Sequence, residues 1–377
     1  MAAMSRSIIC ALLMIGNSFP LFLSGKASAQ EVLGKTKQEW LALLQSDKEK
    51  PAVRKAAVIA LGILGPDQND ILVAFNKSLS TDSDDQVRLQ IIAILGNVDK
   101  AKLRPLLSTF ADRLKEDISP AVQARIANLI GKMGENGKPA LEHLEKALKN
   151  KDEQVRAESA NAIGNIGRDA KESIAKLIPL FEDKAVVVRS AVVYSIVRLG
   201  PEAISALPQL LIVLEKDSSV DIRREAAKSI AFLGSPTAER ATPVLVRCLG
   251  TEKEAEVRRQ IVVALGKMGL AIKPHMAGIV TALKEDKDPT VRLYLVRTIA
   301  KCLGTQVKEY LPVLVERLQK DPEGSIRLII VQELGSLETD AIAAIPALED
   351  ARSDVVLQVR EAANNALARI KQSRKKK

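Results

Sequence analysis

The chain has 377 residues, too many for one compact core of ordinary size, and aromatic residues make up only 3% of it. A charged fraction of 27% beside 47% hydrophobic residues excludes a wholly disordered chain. The formal net charge is +10, but residues 1–29 and the last seven residues supply most of it. The body is therefore nearly balanced, which does not favour a nucleic-acid-binding class.

Residues 1–29 have the features of a secretory signal peptide. Arg6 gives a positive start, an apolar stretch runs from Ile8 to Leu23, and Ala27-Ser28-Ala29 offers small residues for cleavage. We expect cleavage after Ala29 and export to the periplasm or the extracellular space; an uncleaved membrane anchor is the alternative. No later segment offers the ~18 uncharged apolar residues of a transmembrane helix, so the sequence predicts no membrane span in the mature chain.

A repeat of 34 residues fills the rest of the chain. Its marker is a β-branched residue followed by Arg, first at Val53-Arg54 and last, nine periods later, at Val359-Arg360. Apolar residues around the marker recur at helical spacing, and Gly often ends the segment, as at Gly200. Each unit has an earlier helix, A, and a second helix, B, that carries the marker. Pro recurs at one register of helix A, which predicts a bent helix.

An acidic residue stands six positions before the Arg in most repeats. It is placed to cap helix B or to brace the turn before it, and the Arg can reach an acid of its own or a neighbouring repeat. Val122-Gln123 lacks the Arg, and Asn150 replaces an acid. The sequence predicts a structural Asp/Arg ladder made of Asp82, Arg88, Asp183, Arg189, Asp217, Arg223, Asp286, Arg292, Asp321, Arg327, Asp354 and Arg360.

Two helices in about 34 residues, with Asp and Arg six apart and Pro in helix A, resemble the HEAT repeat. The small-residue B helix that ends at Ala264–Gly269 is most similar to the short bacterial HEAT units of the phycobilin-lyase type. The resemblance implies an all-α fold, a right-handed α-solenoid of about ten helix pairs. We assign the solenoid to residues 30–371 and a basic tail to residues 372–377.

The sequence offers no arrangement typical of catalysis. His143 and His275 are the only histidines, and neither belongs to a cluster with metal-ligand spacing. Residues 131–138 contain Gly and Lys but fail the spacing of a phosphate-binding loop. We therefore predict a protein that is not an enzyme, with no catalytic, cofactor-binding or metal residues and no cofactor.

A candidate binding surface lies on the B helices. Positions two, five and nine after the Arg share one stripe that is turned from the core. Arg, Lys and Tyr are frequent there, and Tyr and Arg commonly carry interface energy. The predicted partner-binding residues are Arg125, Lys132, Asn161, Tyr194, Arg198, Lys228, Lys267, Tyr294, Arg297 and Lys301.

These observations favour an exported, non-catalytic scaffold that binds a protein partner along a concave B-helix face. The excess of basic residues predicts an acidic or extended partner, and we expect no nucleic acid. Two alternatives stay open. One is an accessory or lyase-like protein that acts on a cofactor-bearing protein. The weaker one is a binder of acidic polymers through basic residues.

Overall fold

The computed structural model describes residues 31–303 and 309–375. The predicted signal peptide lies outside the described residues. The described chain starts with a two-stranded antiparallel sheet, β1 (Glu31–Val32) and β2 (Lys35–Thr36). Thr36 then caps the first helix through a capping box with Glu39. Trp40 is buried under the sheet and donates from Nε1 to the Val32 carbonyl at 2.9 Å, so the sheet covers the first helix pair.

Ten helix pairs follow in the described residues, which confirms the predicted all-α architecture. The A helices are α1 (Lys37–Leu44), α3 (Asn69–Thr81), α5 (Leu107–Glu116), α7 (Leu141–Ala147), α9 (Ile174–Leu177), α11 (Leu207–Lys216), α13 (Ala238–Thr251), α15 (Met276–Glu285), α17 (Leu311–Lys320) and α19 (Ile345–Asp350). The B helices are α2 (Pro51–Leu64), α4 (Asp85–Leu95), α6 (Pro120–Lys132), α8 (Glu153–Ile166), α10 (Val186–Leu199), α12 (Val220–Leu233), α14 (Ala255–Leu265), α16 (Pro289–Leu303), α18 (Gly324–Ser336) and α20 (Leu357–Lys375).

Short 3-10 helices precede or extend most A helices from the third pair onward. They cover Arg104–Leu106, Gly134–Ala140, Gly167–Ser173, Ile178–Glu182, Pro201–Ala206, Ser235–Thr237, Gly269–His275, Glu338–Ala344 and Ala351–Ser353. The predicted bend of helix A is thus a junction between 3-10 and α geometry, as at Pro208. Pro243 departs from this, because it lies inside the continuous helix α13. Helix α20 extends to Lys375, into the predicted basic tail.

Glycines separate several B helices from the next A helix. Gly200 and Gly234 end α10 and α12 with φ of 87° and 68°. This left-handed backbone is strained for residues with a Cβ, so Gly is the natural stop signal there. The pattern predicted from the sequence is confirmed at both positions.

The chain divides into two compact units, one ending at Ser173 and the other starting at Ile174. In each unit the A and B helices of a repeat pack together, and B helices of successive repeats pack side by side. Phe75, Phe110 and Ile126 are fully buried in the first unit, and Ile230 and Leu265 in the second. The rest of the core is mostly Leu, Ile, Val and Ala, which explains how a chain so poor in aromatic residues still packs.

Candidate partner-binding face

Side-chain pairs between successive repeats set how the B helices stack. We call each pair a rung: the Arg of one repeat and the acid of the next. In the first unit, Arg88 donates from Nε and Nη2 to both carboxylate oxygens of Asp117, each at 2.8 Å. Both side chains are almost fully buried. The other charged rungs described are Arg54–Asp82, Arg189–Asp217, Arg223–Glu252, Arg258–Asp286, Arg292–Asp321 and Arg327–Asp354.

Each Arg also ties its own repeat together. Arg88 Nη1 donates to the Asp82 carbonyl at 2.7 Å, and Arg189 Nη1 donates to the Asp183 carbonyl at 2.9 Å. Arg88 therefore contacts the backbone of the acid in its own repeat, Asp82, and the side chain of the acid in the next repeat, Asp117. In the last repeat, Arg360 keeps the bond to its own Asp354 carbonyl, at 2.7 Å.

The acid of the rung braces the turn between helices A and B. Asp117 ends helix α5 and accepts the Ser119 N–H at 2.9 Å through Oδ1. The side chain that caps helix B is a different residue, two positions later, as with Asp84 and Asp152. One acid thus holds the turn through the backbone N–H and holds the preceding B helix through its bidentate contact with the Arg.

Ion pairing stabilises the charged form of the carboxylates of Asp321 and Asp354. The hydrogen bond from Arg327 lowers the pKa of Asp354 below its usual range. Burial acts to raise the pKa of Asp321, but hydrogen bonds from Arg292 and Arg317 outweigh it, and the pKa is lowered. The side-chain hydrogen bond from Asp217 raises the pKa of Arg189. The two lowered pKa values favour the ionised form of Asp321 and of Asp354 at neutral pH.

One rung is neutral. Asn150 Nδ2 donates to Gln123 Oε1 at 3.0 Å, in the place where other repeats have a bidentate ion pair. Asn150 Oδ1 still accepts the Asp152 N–H at 2.9 Å and so braces its turn. Gln123 and Asn150 are separate departures from the repeat in the sequence, and the repeat pattern alone does not pair them. The signal that could have done so is their separation of 27 residues, the same as between Arg327 and Asp354.

At this neutral rung the two B helices approach closely. A Cβ built on Gly131 of α6 would lie 2.8 Å from the Ala162 Cα of α8. Such a distance is shorter than a real Cβ tolerates, so only Gly allows this separation. The small residues that recur in helix B therefore set how near the helices can come.

The predicted binding residues lie on the B helices of both units. Within each unit, we call the stripe of predicted residues on its B helices the B face of that unit. Arg125, Lys132 and Asn161 belong to the first unit, and the other predicted residues belong to the second. Asn161 and Tyr294 are half-buried, and the other predicted residues are exposed.

The environments of the exposed residues differ. Lys228 is held by Glu225, with Nζ 2.8 Å from Oε1. In the part of the chain that the structure describes, Lys267 has no ion-pair partner. Arg297 faces Glu333, where burial raises the pKa of the carboxyl and the positive charge opposes that effect. The face therefore offers some cations to a partner and uses others within the fold.

A groove in the second unit adds an apolar feature to the B face. Phe232, at the end of α12, is 54% exposed and lies over a groove shared with α14. Lys228 and Lys267 stand at this groove, and Val263 lines it. Phe232 lies nine residues after Arg223, which is a stripe position, but it is not among the predicted binding residues. Its exposure follows from neighbours that the repeat pattern alone does not identify.

Within the described ranges, the structure contains neither a metal-ligating cluster nor a membrane-spanning helix. His, Cys, Asp and Glu side chains do not gather in groups of three or more that could hold a metal ion. No described helix combines the length and the apolar character needed to cross a bilayer.

The fold is similar to those of solved helical-repeat structures. An engineered protein matches with a TM-score of 0.58 and 19% identity, over 89% of this chain and 98% of its own. The karyopherin Kap121p, bound to the extreme C-terminus of the protein phosphatase Cdc14p, matches with a TM-score of 0.57 and 14% identity, over 89% of this chain. Kap95p, solved with RanGDP, matches with a TM-score of 0.57 and 15% identity, over 88% of this chain. The matches cover 41% of Kap121p and 50% of Kap95p, so this chain spans half of these karyopherins or less.

The sequence itself carries the family signature. No curated protein matches the chain. The family model for HEAT repeats matches residues 72–160, 141–211, 207–274 and 276–368. This model covers HEAT repeats in general, without the phycobilin-lyase subdivision. With most of its length matched and an α-solenoid of A and B helices in the structure, the chain belongs to the HEAT-repeat family.

Proposed function

We propose that this protein is an exported, non-catalytic scaffold that binds a protein partner along its B face. HEAT repeats and the karyopherin-like fold support a scaffold for protein interaction. The proposal adds three things: export through residues 1–29, the absence of catalysis and the position of the binding surface. The acidic or extended character of the partner is part of the same proposal.

The observation that carries the proposal is the surface of the second unit. Tyr194 is 49% exposed on α10, and Arg198 is exposed one turn later. Lys267, Arg297 and Lys301 are exposed on the stripe farther along the chain. An exposed Tyr among cations supplies apolar area and charge together, which is the composition of energetic interface centres.

A crosslinked pull-down tests this function. The full chain would be the bait against the envelope and secreted fractions of the producing cell. A second bait would carry Arg198→Glu, Lys267→Glu, Arg297→Glu and Lys301→Glu. A matched bait would carry four Lys→Glu changes at exposed positions off the B face of the same unit: Lys176, Lys216, Lys253 and Lys287.

The proposal predicts a partner that the unchanged and matched baits capture and that the B-face variant loses, with equal helicity of the three baits by circular dichroism. Equal capture by all three would place binding away from the B face. A chain found only in the cytoplasmic fraction of its own cell would overturn export.

A further inference from the structure

We propose a second binding site, in the first unit, for an extended acidic peptide segment with carboxylates at alternate positions. The site is a groove of about 390 Å³ between α4 and α6, with α2 at its rim. The proposal rests on the B face being a protein-binding surface and adds a location and a ligand chemistry to it. We call this site the amide–cation groove; its polar lining residues are Lys55, Gln86, Gln90, Arg125, Asn128 and Lys132.

The backbone brings these side chains together from three repeats. Gln86 and Gln90 are four residues apart on α4 and therefore share one side of that helix. Arg125, Asn128 and Lys132 form the matching stripe on α6. The apolar floor between the two stripes includes Leu89, Ile92 and Leu129.

All charged side chains that line the groove are positive. Lys55, Arg125 and Lys132 line it, and none of its lining residues is acidic. Among the described residues, these three cations have no ion-pair or side-chain hydrogen-bond partner, in contrast to the Arg residues of the rungs. Three unpaired cations at one concave site attract a ligand with several carboxylates.

The amides favour a peptide over other polyanions. A primary amide both donates and accepts, so Gln86 and Gln90 complement the N–H and C=O groups of an extended main chain. Asn128 Nδ2 donates to Glu158 Oε2 at 2.9 Å, which orients its carbonyl oxygen and leaves that atom as an acceptor. No aromatic residue lines the groove, so the stacking platform on which single-stranded nucleic acids depend is missing from it.

The length of the α6 stripe determines how many residues of an extended peptide fit along it. From Arg125 to Lys132 the α6 stripe spans seven residues, about 10 Å along the helix and the length of about three extended residues. Side chains two apart in an extended chain point to the same side. In a segment with Glu at alternate positions, the carboxylates therefore point to one side, toward the cations of the groove. Its main-chain N–H and C=O groups stay available for hydrogen bonds with the Gln86 and Gln90 amides.

Fluorescence anisotropy of a labelled Ser-Glu-Ser-Glu-Ser-Glu-Ser peptide with the full chain tests the site. The reference peptide has Gln in place of Glu. One variant removes the cations with Lys55→Gln, Arg125→Gln and Lys132→Gln. A second removes the amides with Gln86→Ala and Gln90→Ala. The matched control changes exposed lysines of the same unit that do not line the groove: Lys77→Gln, Lys149→Gln and Lys171→Gln.

We expect the cation variant to weaken binding of the acidic peptide by about tenfold or more, while the matched control stays near the unchanged chain. We expect the amide variant to weaken it severalfold and to leave its salt dependence unchanged. Equal weakening by the cation variant and the matched control would overturn the site, since it would show general charge attraction. If a labelled oligonucleotide or heparin bound more tightly than the peptide and lost its binding in the cation variant, the ligand of the groove would be that polyanion and the peptide proposal would be overturned.

The outcomes separate this site from the proposed function. Peptide binding that survives the four Glu changes of the second unit, without capture of any partner, would leave the groove standing and overturn the scaffold function. Capture of a partner without peptide binding would overturn the groove alone.

Discussion

Two neighbouring rungs of the first unit do the same structural task with different chemistry. Arg88 and Asp117 make two charge-assisted bonds of 2.8 Å, and Gln123 and Asn150 make one neutral bond of 3.0 Å. The turn is braced in both, by a 2.9 Å bond from the backbone N–H two residues later. What the fold requires is thus an acceptor at the turn and a complementary side chain in the repeat before it. Charge is one way to meet that requirement.

The comparison also shows why both members of a rung change together. A buried carboxylate without a cation loses its hydration and gains no ionic interaction in return. A buried amide that faces another amide also loses hydration, but the hydrogen bond between the two amides compensates for it. Replacement of Arg by Gln is therefore compatible with the fold when the acid becomes Asn. Close packing does not depend on the kind of rung, because a Cβ on Gly335 would lie 2.9 Å from the Ala366 Cα although Arg327 and Asp354 join the same two repeats.

Acidification should have the largest effect, because it acts together on the rungs of Glu252, Asp321 and Asp354, whose carboxyl pKa values are lowered. The pKa of Asp354 is lowered by its bond from Arg327, and that of Glu252 is lowered although burial opposes this. A carboxyl with a depressed folded-state pKa contributes stability above its unfolded value and loses it as the pH falls through the folded value. We expect the thermal unfolding midpoint, followed by circular dichroism, to be flat above about pH 5 and to fall below about pH 4.

Added salt serves as the control for this experiment. General repulsion between the positive charges of the acidified chain is screened by salt, whereas protonation of a buried rung is affected much less. A midpoint at low pH that salt restores to its neutral value would show that repulsion, and not the rungs, causes the loss.

Removal of one Arg should have the next largest effect. Arg88→Gln leaves the buried Asp117 carboxylate with the Ser119 N–H and, as the remaining cation described, Arg113, whose Nη1 lies 3.9 Å from Oδ2. We expect the free energy of unfolding to fall by about 3 kcal/mol in urea titrations, as for a buried charge that loses its partner. The double variant Arg88→Gln, Asp117→Asn copies the neutral rung and should regain most of this loss. A double variant no more stable than the single one would contradict the idea that the pair is the unit of exchange.

The sequence predicted the architecture because the same residues recur at the same positions in successive repeats. The spacing of Arg54, Arg88 and their later equivalents gave the period, and the glycines gave the ends of helices. The pairing across repeats was left open between own and neighbouring acids, since both lie within reach of a flexible Arg. Only the stacking distance of the B helices decides between them, and that distance depends on packing at positions such as Gly131.

The B face was predictable only as a stripe. Helical spacing placed Arg125 and Lys132 on the exposed side of α6, where the structure has them. It did not associate them with Lys55 or Gln86, because those residues come from other repeats and meet only when helices stack side by side. Tyr294 was expected to be exposed and is half-buried, since neighbouring side chains cover part of a stripe that an isolated helix would leave open.

Packing at the neutral rung can be tested separately from its polar contact. Gly131→Ala would place a methyl group 2.8 Å from the Ala162 Cα. We expect a loss of about 2 kcal/mol, as is typical of an overpacked helix contact. The matched control is Gly250→Ala in α13, where a Cβ meets nothing within 4 Å. That change should stabilise the chain slightly, by about 0.5 kcal/mol, through helix propensity. Similar effects of the two substitutions in urea would mean that Gly131 is not required for close approach.

Installing charge at the neutral rung should have the smallest effect. Gln123→Arg with Asn150→Asp recreates the pair found in other repeats, and the expected change in the free energy of unfolding is within about 1 kcal/mol, because ionic attraction and desolvation nearly cancel. Asn150→Asp alone should be less stable than the double variant, since its carboxylate would have the neutral amide of Gln123 as its partner rather than a guanidinium. Urea titrations of both variants at neutral pH and below pH 4 would measure this, and the advantage of the double variant should disappear in acid. A double variant that gains several kcal/mol at neutral pH would show instead that the charge of a rung, and not its complementarity, limits the stability of this interface.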